Sequence, residues 1–479
     1  MSFELHREPL DEAARRASDL FVEIYTGLER RRVDPGADPA SLRRRFEDTL
    51  LEEGVGLLRV LEEFRTWVLP ASMGTPHPLY LGLVNSSPFP AAALADLLVS
   101  SLNNNGGAFH QSPAMSACEG EVVRTFARLF GFEAPVSGML LPGGTFATLQ
   151  GLTLARARHF PDWQESGPVA VERPPVMYTS QAGHFSVQRS ATALGLGRRG
   201  VVAVDGTGRG EMDVCALEEH VERDLRDGRR PFAVVATVGT TGTGAIDPLR
   251  AIAELCRRYD LWLHVDACYG GAAVLLEEMR GRFEGIAQAD SIAVDPHKWF
   301  FVPVTAAVLL TRDESFERET FLAGDTSYIP QHAGVDPFLR GLPTSRRSSG
   351  LTVWMALRAH GISAVRDAVR SNIALIRLLE ALLADAGFRV LDGGELSVAC
   401  ARWEAPGASP VAIDQLQREI AADMVDTGDV WFSTTRHAGQ TWLRFNLVNL
   451  YTRERHIRKL AAQLVDVARR RSACRGGSM

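Results

Sequence analysis

LWLHVDACYGG, residues 261–271, and SIAVDPHKWF, residues 291–300, read alike: an apolar run stops abruptly at charge. Leu261, Trp262, Leu263 and Val265 lead into Asp266, while Ile292, Ala293 and Val294 lead into the loop of His297 and Lys298. A short apolar run closed by glycine or proline reads as a buried strand, and a charge at its end falls in the loop that follows. Buried strands that end in charge usually end in a site.

The same pattern repeats outward from this pair. Apolar runs at Met139–Leu141, Val176–Thr179, Val201–Val204, Phe232–Val238 and Ala306–Leu310 alternate with helical stretches between Gly138 and Thr311. Strands separated by helices predict right-handed crossovers and a mainly parallel sheet, an α/β fold. Ala13, Ala17, Leu20, Ile24 and Leu28 stand at helical spacing in the opening segment, and proline and glycine punctuate residues 70 to 90. Helical patterning returns from about Leu351 to Ala386, and the last hundred residues mix strands such as Trp442–Val448 with a terminal helix. Three parts are expected: an N-terminal helical segment (1–90), a large α/β domain (91–365) and a small C-terminal α+β domain (366–479).

Composition narrows the class. The chain has 479 residues, 46% of them hydrophobic, enough for a large core and more than one folding unit. Lys plus Arg number 52 against 58 Asp plus Glu, and no long basic run favours nucleic acid or an anionic membrane, so a small-molecule substrate is expected. Cys118, Cys215, Cys256, Cys268, Cys400 and Cys474 lack CxxC or Cys/His spacing, against both a disulfide framework and structural zinc. The N-terminus has no apolar signal core and no segment approaches the ~18 apolar residues of a membrane span; a cytoplasmic location is expected.

A carboxylate at one strand end and an amine at the next match the two electronic controls on pyridoxal phosphate. The acid keeps the pyridine nitrogen protonated and the lysine holds the aldehyde as a Schiff base. A phosphorylated cofactor also needs backbone donors. GMLLPGGTFATLQGL supplies an apolar strand, Gly143 and Gly144, then Thr145 at a helix start, where N–H groups attract anions. The same segment also fits an ordinary strand-to-helix turn with a threonine cap. His184, after the run VMYTS, is placed to stack on the pyridine ring or to serve structurally, and Thr240 and Thr241 after FAVVATVG fit a ligand loop or a turn. GTGRG near Gly208 and GTTGTG near Gly242 lack the GxGxxG spacing of a dinucleotide site.

With HPLYLGLVNSSP, SPAMSACEGEVV, PGGTFATL, QAGHFSVQRSA, TVGTTGTGAIDPL, HVDACYGG, DPHKW and RRSSGLTVWMAL in this order, nearly the whole chain resembles the group II pyridoxal-phosphate-dependent amino-acid decarboxylases. That family includes decarboxylases of aromatic amino acids, histidine, glutamate and cysteine sulfinate. The resemblance implies the fold type I architecture and a homodimer whose first 90 or so residues embrace the partner. Residue by residue it implies Lys298 as the Schiff-base lysine, Asp266 as partner of the pyridine nitrogen and His184 as the ring-stacking histidine. Gly144 and Thr145 fall where the family holds the phosphate, Thr241 falls in the cofactor pocket, and His297 precedes the lysine as in many members. Tyr328, in GDTSYIPQHAG, matches a tyrosine on a mobile loop that helps return a proton to Cα. Members with phenylalanine there tend to form aldehydes, so Tyr328 favours the amine.

The implied reaction is therefore decarboxylation of an L-amino acid to amine and carbon dioxide, on an aromatic or other bulky substrate. An aldehyde-forming oxidative decarboxylase-deaminase and a decarboxylase of glutamate or cysteine sulfinate are the alternatives within the fold. A non-catalytic homologue would be expected to lose Lys298. Two positions depart from the aromatic-decarboxylase pattern. Asp295 replaces an asparagine, and its carboxylate beside a dianionic phosphate would be repelled unless it turns away or another donor intervenes. Cys268 replaces an alanine and also reads as a small buried filler. Leu79, Tyr80, Leu81, Leu83 and Phe109 would suit a bulky substrate if they line the pocket, or else belong to the core. Arg444 would meet a substrate carboxylate or an internal one.

Overall fold

The computed structural model describes residues 7–50, 52–133, 135–322, 334 and 336–476. Each apolar run named above between residues 137 and 311 forms a strand: β1 (Ser137–Leu141), β2 (Pro175–Ser180), β3 (Val201–Val204), β4 (Arg230–Thr237), β5 (Trp262–Asp266), β6 (Ser291–Val294) and β7 (Ala307–Thr311). They build one sheet in the order β1-β7-β6-β5-β4-β2-β3. The pairs β2/β3, β2/β4, β4/β5 and β5/β6 are parallel, whereas β7 is antiparallel to both β1 and β6. All strands except β7 thus point their carboxyl ends to the same edge, the edge where open α/β sheets place ligands.

Apolar side chains on both faces explain why the strands read as continuous runs rather than alternating ones. Phe126, Val234, Val265, Ile292 and Trp299 belong to one buried cluster, and Leu152, Met177, Phe232 and Val235 to another. The helix Gly144–His159 lies so close to the sheet that a Cβ on Gly151 would stand 2.8 Å from Nδ1 of His264. That imidazole is fully buried, bonded to Ser291 Oγ at 2.8 Å, and burial holds its pKa down at about 4.

Helix Ser349–Asp385, interrupted at Gly361 where φ is 76°, leads to a second, antiparallel sheet. Its strands are β8 (Arg389–Val390), β9 (Val398–Arg402), β10 (Ser433–His437) and β11 (Gln440–Asn446), in the order β8-β9-β11-β10. Helices Pro410–Asp426 and Glu454–Gly476 cover it. Arg209 ties the two sheets together: buried in the GTGRG turn, it donates to the carbonyls of Thr243, Leu391, Asp392 and Val398. No helix of the described residues is long and apolar enough to cross a membrane.

Candidate active site

Five loops at the common strand edge surround a cavity of about 460 Å³. Gly144 and Thr145 reach it from β1, His184 from β2, Thr241 from β4, Asp266 from β5, and His297 and Lys298 from β6. Seven of the eight residues singled out in the sequence therefore line one space. The eighth, Tyr328, lies outside the described residues.

Asp266 is the last residue of β5, 7% exposed, paired in register with Thr237 of β4. Its Oδ1 accepts the backbone N–H of Cys268 at 3.1 Å, and among the described residues no cation forms an ion pair with it. Thr237 also faces the cavity, with its buried hydroxyl lacking a partner.

Asp295 pairs with the lysine. Its carboxylate is 2% exposed, and Oδ2 lies 2.9 Å from Nζ of Lys298 while Oδ1 is buried without a partner. Burial opposes charge on the amine, but Asp295, Cys268 and Asp266 more than reverse it, so the Lys298 pKa is raised. The same carboxylate explains one of the two glycines after β1. A Cβ on Gly144 would meet Cys268 Sγ at 2.5 Å and Asp295 Oδ2 at 2.7 Å. Gly143 has a different reason, a φ of 105° at the N-cap of the helix, with open space where a Cβ would be. The first N–H groups of that helix have no intrahelical acceptor.

His184 receives the backbone N–H of Ser186 on Nδ1 at 3.2 Å, with the Ser186 hydroxyl 2.9 Å from the same atom. An amide can only donate, so Nδ1 accepts and the ring proton sits on Nε2. Burial lowers the His184 pKa, opposed by the field of Asp266, and the imidazole is neutral at neutral pH. Nδ1 of His297 lies 2.7 Å from the Ala306 carbonyl and 3.2 Å from its amide nitrogen. That amide donates its N–H to Nδ1, and Nε2 stands 3.8 Å from Asp295.

Other sequence readings resolve differently. None of Leu79, Tyr80, Leu81, Leu83 and Phe109 lines this cavity. Leu79, Tyr80 and Leu81 pack in the core of the small sheet, where Tyr80 stacks on Trp431 at 5.5 Å, because an apolar run looks the same whether it meets ligand or core. Val84 and Phe146 are the apolar wall instead. Arg444 is buried but forms no ion pair among the described residues; Nε donates to the Thr241 carbonyl at 2.6 Å and Nη2 has no partner. Cys268 is buried among Met139, Leu141 and Ala293, as a filler would be, and burial pushes its thiol well above the usual range. Sequence reasoning passed over Ser186, Thr237 and Arg189, all in the cavity wall. Thr237 carried a usable signal, since it ends an apolar strand as Asp266 does.

The family model described as "Pyridoxal-dependent decarboxylase conserved domain" matches residues 39–401. The chain is 27% identical over 454 residues to the aromatic-L-amino-acid decarboxylase of Bacillus atrophaeus, covering 94% of this chain and 93% of that one. It is 30% identical over 397 residues to the cysteine sulfinic acid decarboxylase of Rattus norvegicus, covering 82% and 78%. The crystal structure of Oryza sativa TDC with PLP and tryptamine superposes with a TM-score of 0.92 over 98% of this chain and 100% of that one; at 24% identity this likeness concerns the fold.

Proposed function

The chain belongs to the pyridoxal-dependent decarboxylase family and is a pyridoxal-phosphate-dependent amino-acid carboxy-lyase, and from that premise we propose that it converts an L-amino acid with an aromatic or other bulky side chain to its amine and carbon dioxide. The observation that carries the assignment of residues is Asp266. A carboxylate so buried without an ion pair is costly, and a protonated ring nitrogen would supply the missing cation. The unpartnered Thr237 hydroxyl and the open backbone at Gly143 also fit a polar, phosphorylated cofactor.

Pyridoxal phosphate, when bound, supplies an electron-accepting ring for the electron pair that the departing carboxylate leaves behind. Lys298 would hold its aldehyde and Asp266 would keep its ring nitrogen protonated. Gly144 and Thr145 would meet its phosphate at the helix start, with Thr241 and His297 completing the pocket. His184, held neutral and oriented by Ser186, would lie against the ring and present Nε2–H to the substrate. Tyr328 would return a proton to Cα and so favour amine over aldehyde.

Val84 and Phe146 in the cavity wall support a bulky apolar substrate. A second reading, an acidic side chain, is favoured by Arg189 in the same wall, and the rat relative is named for an acidic substrate. Incubating the loaded protein with aromatic amino acids, glutamate and cysteine sulfinate, and identifying products by mass spectrometry, tests both. Amines from aromatic substrates support the first reading; turnover of acidic substrates alone transfers the assignment to the second, and aldehydes as main products overturn the amine.

The proposal includes a homodimer whose segment 1–90 embraces its partner. Leu94, Leu97, Leu98 and Leu102 are exposed along helix Pro90–Leu102, as are Phe46, Leu57, Val60 and Phe64 before it, and such apolar surface is usually covered. A fully active monomer by light scattering would refute this. A cytoplasmic location is supported by the five described cysteines, all free.

A further inference from the structure

Asp295 is a buried acid that the reaction outlined above does not use. Among the described residues its carboxylate makes one strong contact, the 2.9 Å ion pair to Lys298 Nζ, within the turn in which the Lys298 amide donates to the Asp295 carbonyl, also at 2.9 Å. The other titratable groups facing the pair are Asp266 and Cys268 from the loop after β5, His297 from its own turn, and His184 from the loop after β2. Of these the Asp266 carboxylate favours a cation at Nζ, and neither Gly144 nor Thr145 at the facing helix start carries a charge. We propose that Asp295 is a positioning residue for Lys298, a counter-ion that holds the lysine as an ammonium whenever its nitrogen is not covalently engaged, and so makes the displaced lysine a proton carrier rather than a nucleophile competing with the substrate amine.

The physical case rests on two requirements met by one contact. A carboxylate with 2% exposure needs a cation, and among the described residues Lys298 is the one at hydrogen-bond distance. An ammonium has no lone pair, so it cannot attack a carbonyl or imine carbon until it loses a proton. In the paired state Nζ carries three protons and Asp295 none. If Nζ gives up one proton to solvent it becomes a neutral amine, free to re-form its covalent bond, and Asp295 remains a carboxylate throughout. A neutral asparagine of the same shape would keep a hydrogen-bond acceptor but not the charge, which separates position from electrostatics.

The inference rests on the reading of Lys298 as the cofactor lysine, and the sequence provides a test that separates the two: the chain contains only two lysines, Lys298 and Lys459. Trace acetylation of the full-length, cofactor-free protein with limiting acetic anhydride, followed by peptide mass spectrometry, gives the reactivity of Lys298 relative to Lys459 as a function of pH. In the natural protein the ratio is expected to stay low at neutral pH and to climb only at higher pH than for Lys459. Asp295→Asn should raise the ratio at neutral pH by about tenfold or more, the effect of one pKa unit. A natural protein in which Lys298 titrates like Lys459, or an Asp295→Asn variant whose curve superposes on the natural one, overturns the proposal; the first comparison needs no variant to fold. Acetylation of the loaded protein is the separate control on the cofactor assignment, since Lys298 should then be protected.

Discussion

Thr237, in register with Asp266 on the neighbouring strand, donates its backbone N–H to Asp247 at 2.7 Å, and the other oxygen of Asp247 accepts the Met212 N–H, also at 2.7 Å. Burial nevertheless pushes the Asp247 pKa up from 3.8 to about 7 against those two bonds. The folded protein therefore keeps a proton that the unfolded chain releases above the usual carboxylate range. This group's contribution to stability is full below about pH 4 and is lost as pH rises through about 7. Asp247→Asn removes the titration and sets an NH₂ against a backbone N–H, a cost of about 1–3 kcal/mol. Denaturant unfolding should show a gap between natural and variant proteins that is wider near pH 5 than near pH 8. A constant or reversed gap would refute the linkage.

The Ser186 contacts to His184 predict the acid limb of the pH profile. Burial lowers the His184 pKa, so kcat/KM of the loaded enzyme should not fall through this residue until pH is below the ordinary histidine value of about 6.5. Ser186→Ala keeps the amide contact and loses the hydroxyl. Its rate should drop by up to about tenfold, the worth of one hydrogen bond, without loss of cofactor. Cofactor loss instead would assign Ser186 a different role.

Gly144→Ala should fail for steric reasons that Gly143→Ala does not share. The added methyl meets Cys268 and Asp295, a clash of the kind that costs about 1–3 kcal/mol, and it falls where the cofactor is expected. Cofactor occupancy and Tm should both fall. Adding Cys268→Ala should restore part of the Tm, because Asp295 still crowds the site; full restoration would mean that only the thiol mattered.

Tyr328→Phe should slow amine formation by about 10²–10⁴-fold, the usual worth of a general acid. Aldehyde, ammonia and hydrogen peroxide should rise relative to amine in aerated buffer. An unchanged amine rate without peroxide would leave Tyr328 without a role in the chemistry.

The large sheet was legible because its inner strands are buried on both faces, and Leu261–Val265 or Ser291–Val294 needs no partner to be recognised as such a run. Site residues at strand ends were legible for the same reason. What the sequence hid depends on three-dimensional approach. Leu79–Leu81 carry the composition of a pocket wall but pack against Trp431, far along the chain. Asp295 read as a misfit beside a phosphate, because its pairing with Lys298 is set by how the turn through Pro296 brings the two side chains together. Ser186 and Asp247 act by gripping a nitrogen atom or a backbone N–H, and no residue type announces that.

The most direct test of the account is to reduce the cofactor-loaded protein with borohydride, digest it and locate the pyridoxyl group by mass spectrometry. With two lysines in the chain the outcome is binary. The account predicts the adduct on Lys298 and an unmodified Lys459, with loss of the adduct in Lys298→Ala; an adduct on Lys459, or a visible cofactor band that survives Lys298→Ala without added amine, would contradict it.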